Sequence, residues 1–165
     1  MAFDTLRRIL TFVVLCLLQV LVLNRIQLFH CATPLLYVYF TISMPRGYPR
    51  WATLLWSFTL GLTIDMFNNT PGIAAASLTL IGMLQPYLIE LFLPREAEEN
   101  IKCSAHALGW GHFISLAAIL TVIFCVVFYA IEAFSFAGWS YYLQCVGGSA
   151  LLTLILIMTI ECIRK

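Results

Sequence analysis

Residues 51–93 read WATLLWSFTLGLTIDMFNNTPGIAAASLTLIGMLQPYLIELFL. Two apolar blocks, Trp51 to Phe67 and Gly72 to Leu93, are separated here by a short polar link. Each block is close to the roughly 20 residues that a helix needs to cross about 30 Å of hydrocarbon. Thr70 is a candidate helix cap, and Pro71 is suited to the first turn of the helix that follows. The stretch predicts two membrane-spanning helices joined as a tight hairpin.

The rest of the chain has the same apolar character as this hairpin. Of its 165 residues, 62% are hydrophobic and 10% are charged, and the mean hydropathy is +0.94. A soluble domain of this size could not hide so much apolar surface. The blocks lack the polar alternation of membrane β-strands, so helices are expected to satisfy the backbone in lipid. The composition predicts an all-α integral membrane protein without a soluble domain, surrounded by membrane lipids.

A bundle of six helices is predicted, forming a single transmembrane domain. The predicted spans are residues 6–23, 26–44, 51–67, 72–93, 110–134 and 141–163. The first contains Arg7 and Arg8 at its start and resembles an uncleaved signal anchor. The second contains His30, Thr33 and Pro34, so we expect it to be short or kinked, with its freed carbonyl groups satisfied by neighbouring helices.

The distribution of basic residues predicts how the bundle is oriented. With a cytoplasmic start and six spans, only Arg25 falls outside the cytoplasm. The basic residues that fall inside are Arg7, Arg8, Arg46, Arg50, Arg95, Lys102, Arg164 and Lys165. Short cytoplasmic loops of membrane proteins carry an excess of Lys and Arg. The pattern favours an even number of crossings and two cytoplasmic termini.

Several classes of function are not expected from this sequence. A net charge of +1 without a clustered basic face argues against nucleic acid as a partner. The six cysteines show no CxxC or Cys/His spacing, so no metal, cofactor or disulfide is expected. Asp65 and Glu90 are the carboxylates placed well inside the spans, and their predicted depths put them in opposite leaflets. Because an acid and base pair must lie within roughly 10 Å, we expect no catalytic residues and no enzyme activity.

Polar residues inside the spans predict a cluster near the outer surface. Its members are Gln19, His30, Asp65 and Asn68. A charge in hydrocarbon must face protein or water, so the cluster is either a ligand pocket or a set of hydrogen bonds between helices. Gly61 lies one turn before Asp65, and small residues follow Gly72. These small residues predict a close approach of the two helices in the hairpin.

The hairpin also carries a recognisable motif. It contains Phe58-x-Leu60-Gly61-Leu62-x-x-Asp65-x-Phe67 and then Pro71-Gly72-Ile73-x-Ala75-Ala76, with Pro34-Leu35-Leu36-Tyr37 and Pro45 upstream. This pattern resembles the signature of the bacterial rod shape-determining protein MreD family. The resemblance covers roughly residues 10 to 95, and the carboxy-terminal third shares only its hydropathy.

The resemblance implies a non-enzymatic scaffold of the cell-elongation machinery in the bacterial inner membrane. Such proteins bind MreC, work beside RodA and its class B penicillin-binding transpeptidase, and couple peptidoglycan synthesis indirectly to MreB. By this resemblance the partner-binding or structural positions are Gly61, Asp65, Pro71 and Gly72. The MreD fold is similar to the six-helix substrate-binding subunits of energy-coupling-factor vitamin transporters. The alternative is therefore a small-molecule-binding subunit of such a transporter, with the outer polar cluster as its site.

Overall fold

The computed structural model describes residues 2–25, 33–45, 47–92, 109–132 and 139–163. Regular structure in these ranges is helical throughout, which confirms the predicted all-α class. The helices are α1 (Ala2–Leu21), α2 (Val38–Ile42), α3 (Arg50–Asn68), α4 (Ile73–Phe92), α5 (Trp110–Glu132) and α6 (Trp139–Ile163), with a 3-10 turn over Leu23–Arg25.

Three of the described helices are long and apolar enough to cross a membrane. They contribute the stretches Ile73–Leu91, Trp110–Glu132 and Tyr142–Ile163. These stretches indicate a membrane protein. The prediction of six membrane-spanning helices is wrong, and the orientation argument loses the even number of crossings on which it depended.

The missing spans have physical reasons. Helix α3 has enough residues, 19, but it is less apolar than the three candidate spans. Arg50 and Asp65 lie near the two ends of α3. Charged side chains are costly in hydrocarbon. Helix α2 has only five residues and is too short to span a bilayer.

The chain between α1 and α3 departs most from the prediction. Within the predicted span over residues 26–44, helical structure in the described part is limited to α2, and residues 26–32, including His30, lie outside the described ranges. Residues 33–37 are not helical. Pro34 contributes to this because it lacks an amide hydrogen and disfavours the helical conformation at Thr33. In its described part, this stretch is therefore not the short or kinked membrane span that was predicted.

This short segment lies in the middle of the bundle. The hairpins α3–α4 and α5–α6 meet through α4 and α5, and α1 packs on α3. Helix α2 contacts α1, α3, α4 and α5. Every side chain from Pro34 to Ile42 is buried. Residues 33–44 are called the central segment below.

Aromatic rings from three helices pack against the central segment. The Tyr37 ring meets the Phe124 ring of α5 edge to face, with 5.5 Å between the centroids. The Phe40 ring lies 5.9 Å from the Phe12 ring of α1 and 6.2 Å from the Trp56 ring of α3. Aromatic side chains bury large areas and favour such tilted contacts. The central segment is therefore part of the apolar core.

Basic and aromatic side chains gather at one end of the bundle. The Arg8 guanidinium lies 3.9 Å from the centre of the Tyr48 ring, and the Arg50 guanidinium lies 5.2 Å from that of Tyr87. A nitrogen of Arg50 also lies 4.0 Å from a carboxylate oxygen of Glu90. Glu90, near the end of α4, therefore lies beside the start of α3, whereas Asp65 lies near the far end of α3. These two carboxylates are well separated, as predicted. This region is called the basic end.

Candidate functional site

The carboxylate of Asp65 is buried at the turn between α3 and α4. Its exposed fraction is 4%. Oδ1 accepts hydrogen bonds from the Thr70 hydroxyl at 2.6 Å and the Ala74 N–H at 2.9 Å, and Oδ2 accepts one from the Ala75 N–H at 2.9 Å. Ala74 and Ala75 are the second and third residues of α4, and their amides have no carbonyl partner within the helix. Asp65 therefore caps α4 from the preceding helix.

Asp65 supplies this cap because the residue before α4 has no side chain to do so. Gly72 precedes the helix with φ +80°, and its carbonyl accepts the first helical hydrogen bond from Ala76 at 3.0 Å. That φ is strained for residues with a Cβ. The prediction of Thr70 as the cap and Pro71 in the first turn is wrong. Thr70 bonds to Asp65, and Pro71 is exposed before the helix begins.

The end of α3 depends on the same aspartate. Asn69 adopts the left-handed conformation, with φ 58° and ψ 32°. The carbonyl oxygen of Asp65 accepts hydrogen bonds from the Asn69 N–H and, at 3.1 Å, from the Thr70 N–H. A left-handed residue commonly ends a helix, and Asn tolerates this conformation better than most residues do. The backbone of Asp65 thus closes α3 while its side chain opens α4.

The two helices of the hairpin touch backbone to backbone at Gly61. A Cβ on Gly61 would lie 2.4 Å from the Ala75 Cα and 2.7 Å from the Ala74 carbonyl oxygen. One turn closer to the basic end, a Cβ on Gly82 would lie 3.0 Å from the Ser57 hydroxyl. Small residues allow helices to approach this closely. The predicted close approach at Gly61 is confirmed.

Gln19 of α1 binds the non-helical backbone of the central segment. Its Nε2 donates to the Pro34 carbonyl oxygen at 3.0 Å, and its Oε1 accepts from the Leu36 N–H at 3.1 Å. Gln19 itself is fully buried. Buried backbone groups outside a helix need partners of this kind at membrane depth.

Helix α6 binds the same backbone from another side. The Ser149 hydroxyl accepts from the Thr33 N–H at 3.1 Å, and the Thr153 hydroxyl accepts from the Leu35 N–H at 3.0 Å. The Tyr129 hydroxyl of α5 lies 2.6 Å from that of Ser149 and 3.2 Å from that of Thr33. Neighbouring helices thus satisfy backbone N–H groups of this segment, whereas the carbonyl that Pro34 was predicted to free, one turn earlier, lies outside the described residues.

Glu161 is a buried carboxylate for which no role was predicted, because it lies close to the end of a predicted span. It is 3% exposed, and its Oε2 accepts a hydrogen bond from the Tyr39 hydroxyl at 2.6 Å. The spacing of residues in α6 could have identified Glu161. Every fourth residue on this face is buried: Ser149, Thr153, Ile157 and Glu161. Positions at this spacing share one face of a helix. A polar stripe in an apolar helix indicates a face turned toward protein.

Polar contacts continue to the end of the central segment. The Thr41 and Ser57 hydroxyl oxygens lie 3.1 Å apart. The Gln85 Nε2 donates to the Met44 carbonyl oxygen at 3.0 Å. Side chains from α1, α3, α4, α5 and α6 therefore all bind the central segment.

The predicted outer cluster is only partly brought together. Gln19 Nε2 donates to the Asn24 side-chain oxygen at 3.1 Å, and the Asn24 amide donates to the Asn68 side chain. Asn24, which joins Gln19 to Asn68, was not among the predicted members. The Asp65 carboxylate lies against α4 instead, and His30 is outside the described residues. The described members form hydrogen bonds between chain segments and do not converge on a common cavity.

The buried polar groups are used mainly to hold the backbone and the helix ends. In the described part of the chain, no three His, Cys, Asp or Glu side chains are arranged to bind a metal ion. The Asp65 and Glu90 carboxylates lie at opposite ends of the hairpin. The hydrogen bonds of these buried polar groups are typical of a structural role in holding the bundle together.

Comparisons with known proteins leave the family open. No known protein family, curated protein or solved structure matches this chain. The hairpin motif and the contacts described above are therefore the basis for assigning a function.

Proposed function

We propose that this protein is a non-enzymatic membrane scaffold of the MreD type. In this proposal it binds MreC and couples peptidoglycan synthesis by RodA and its class B transpeptidase to the MreB cytoskeleton. It lies in the bacterial cytoplasmic membrane. The motif residues support the proposal, since Gly61, Asp65 and Gly72 each have a defined role in building the hairpin.

The observation that carries the proposal is an uncovered apolar stripe on α3. Leu55, Phe58, Leu62 and Met66 follow one another at intervals of three or four residues and are 43–77% exposed. Yet α3 is not among the helices apolar enough to cross a membrane. A contiguous exposed apolar patch on such a helix favours a protein neighbour. We call these four residues the α3 stripe.

The α3 stripe is suited to contact with another helix. Thr59 and Thr63 lie along the same part of α3, and their hydroxyls donate to backbone carbonyls one turn earlier at 2.7 and 2.8 Å. Their polar groups are therefore satisfied before any partner arrives. The Gly61 contact and the Asp65 cap hold α3 against α4. The stripe is thus a pre-organised surface, which reduces the entropy lost on binding.

The transporter alternative rests on the outer polar cluster. Gln19 uses its amide nitrogen for two hydrogen bonds and its oxygen for a third, all within the chain. This bonding favours a structural role for the cluster. A transporter subunit would instead bind a vitamin-sized ligand and associate with transport ATPases.

Affinity purification of the tagged chain in mild detergent, followed by mass spectrometry, tests the proposal. We expect MreC, RodA and the transpeptidase to be recovered. The double substitution Phe58→Ala and Met66→Ala should lower their recovery about tenfold or more, because central apolar anchors each contribute over about 1 kcal/mol to an interface.

A matched control places similar changes on another exposed helix face. Leu151 and Ile155 of α6 are 64% and 61% exposed. Leu151→Ala with Ile155→Ala should leave partner recovery unchanged. Equal recovery from both double variants, or recovery of transport ATPases in place of MreC, would contradict the proposal.

A further inference from the structure

A groove of about 420 Å³ runs along the bundle between α1 and α6. Its walls are mainly apolar and include Val14 and Leu18 of α1 and Ile160 of α6. The buried side chains of Leu36 and Tyr39, from the central segment, form its floor. The groove therefore leads from the outside of the bundle to its core.

One end of this groove carries a positive charge. Arg7 and Thr11 lie one turn apart on α1 and line that end. The Thr11 hydroxyl donates to the Arg7 carbonyl oxygen at 2.9 Å, so its hydrogen is already used. No ion pair to Arg7 occurs among the described residues. The neighbouring Arg8 lies over the Tyr48 ring and does not line the groove.

The length of the groove matches one leaflet of a bilayer. Leu18 follows Arg7 by 11 positions, which is about 16 Å along a helix that rises 1.5 Å per residue. Half of the hydrocarbon thickness is about 15 Å. Because α6 is one of the helices able to cross a membrane, the groove beside it lies at bilayer depth.

We propose that the groove binds one acyl chain of an anionic phospholipid, with the lipid phosphate beside Arg7. The apolar walls match the chain, and the guanidinium matches the phosphate in charge and hydrogen bonding. The volume favours a chain over a partner's helix. A helix about 10 Å across and 16 Å long occupies roughly 1,300 Å³, so most of it would lie outside the groove. This lipid site is independent of the contact proposed for the α3 stripe.

Native mass spectrometry of the full chain tests the headgroup contact. The protein is equilibrated with equal amounts of phosphatidylglycerol and phosphatidylcholine that carry the same acyl chains. We expect one retained phosphatidylglycerol per chain. Arg7→Gln should lower its retention about fivefold, while Arg8→Gln should change it little. Equal losses in the two variants would overturn the proposal, because they would show only a general attraction to surface charge.

A second pair of variants tests the groove itself. Val14 lines the groove, whereas the adjacent Val13 does not, and both are about half exposed. Val14→Trp should fill the groove and abolish the retained lipid, while Val13→Trp should leave it bound. Equal lipid retention in both variants would overturn the proposal. Cross-linking of a partner's helix along the groove would also overturn it.

Discussion

Gly61→Ala is expected to lower the free energy of unfolding by about 3 kcal/mol or more. The added methyl group would lie 2.4 Å from the Ala75 Cα, and backbone atoms cannot rotate away as a side chain can. Helices α3 and α4 would have to separate, which would loosen the packing around the fully buried Leu60 and Ile64. Equilibrium unfolding of the purified protein in mixed detergent micelles measures the change.

Gly147 provides the control for this substitution. It lies within α6, and a Cβ placed there meets no atom within 4 Å. Gly147→Ala should leave the stability unchanged or raise it by up to about 1 kcal/mol, since alanine favours helix over glycine. Equal effects of the two substitutions would show that the backbone contact at Gly61 does not limit the packing of α3 on α4.

Asp65→Ala is expected to be nearly as destabilising, at about 3 kcal/mol. It removes the acceptors of two α4 amides and of the Thr70 hydroxyl. It also removes a negative charge from the positive end of the helix dipole. Asp65→Asn keeps one acceptor oxygen and should cause roughly half the loss. The same unfolding experiment distinguishes these two variants.

The structure changes what an Asp65 variant can reveal about partners. Asp65→Ala should reduce partner recovery only together with the stability of the hairpin. If it lowered the recovery of MreC while the unfolding free energy stayed at the wild-type value, the carboxylate would be acting by direct contact. That result would contradict the capping role.

The hairpin could be predicted in outline because its signals are local. Two apolar blocks, a short polar link and Gly61 were enough to predict two helices in close contact. The capping partner was missed because capping patterns are read from residues next to the helix start. Asp65 belongs to the preceding helix and reaches Ala74 and Ala75 across the turn.

The rest of the architecture depends on contacts that local patterns do not contain. Hydropathy over residues 26–44 resembles a span, but residues 33–44, the described part, are largely enclosed by protein rather than lipid. Its partners are distant in sequence, as with Leu35 and Thr153 or Tyr39 and Glu161. The four-residue spacing of Ser149, Thr153 and Glu161 in α6 can be seen in the sequence. It does not identify the segment that this face of α6 contacts.

The fold as a whole depends on the central segment, because five helices pack or bond against it. Amide hydrogen exchange at Leu35 and Leu36 tests this placement most directly. We expect both amides to exchange as slowly as those inside α3 and α4, although neither lies in a helix. Gln19→Leu should speed exchange at Leu36 about tenfold, through loss of one hydrogen bond, while the exposed-site control Gln144→Leu should not. Exchange of Leu35 and Leu36 in the wild-type protein at the rate of an unprotected chain would contradict the buried placement of the central segment.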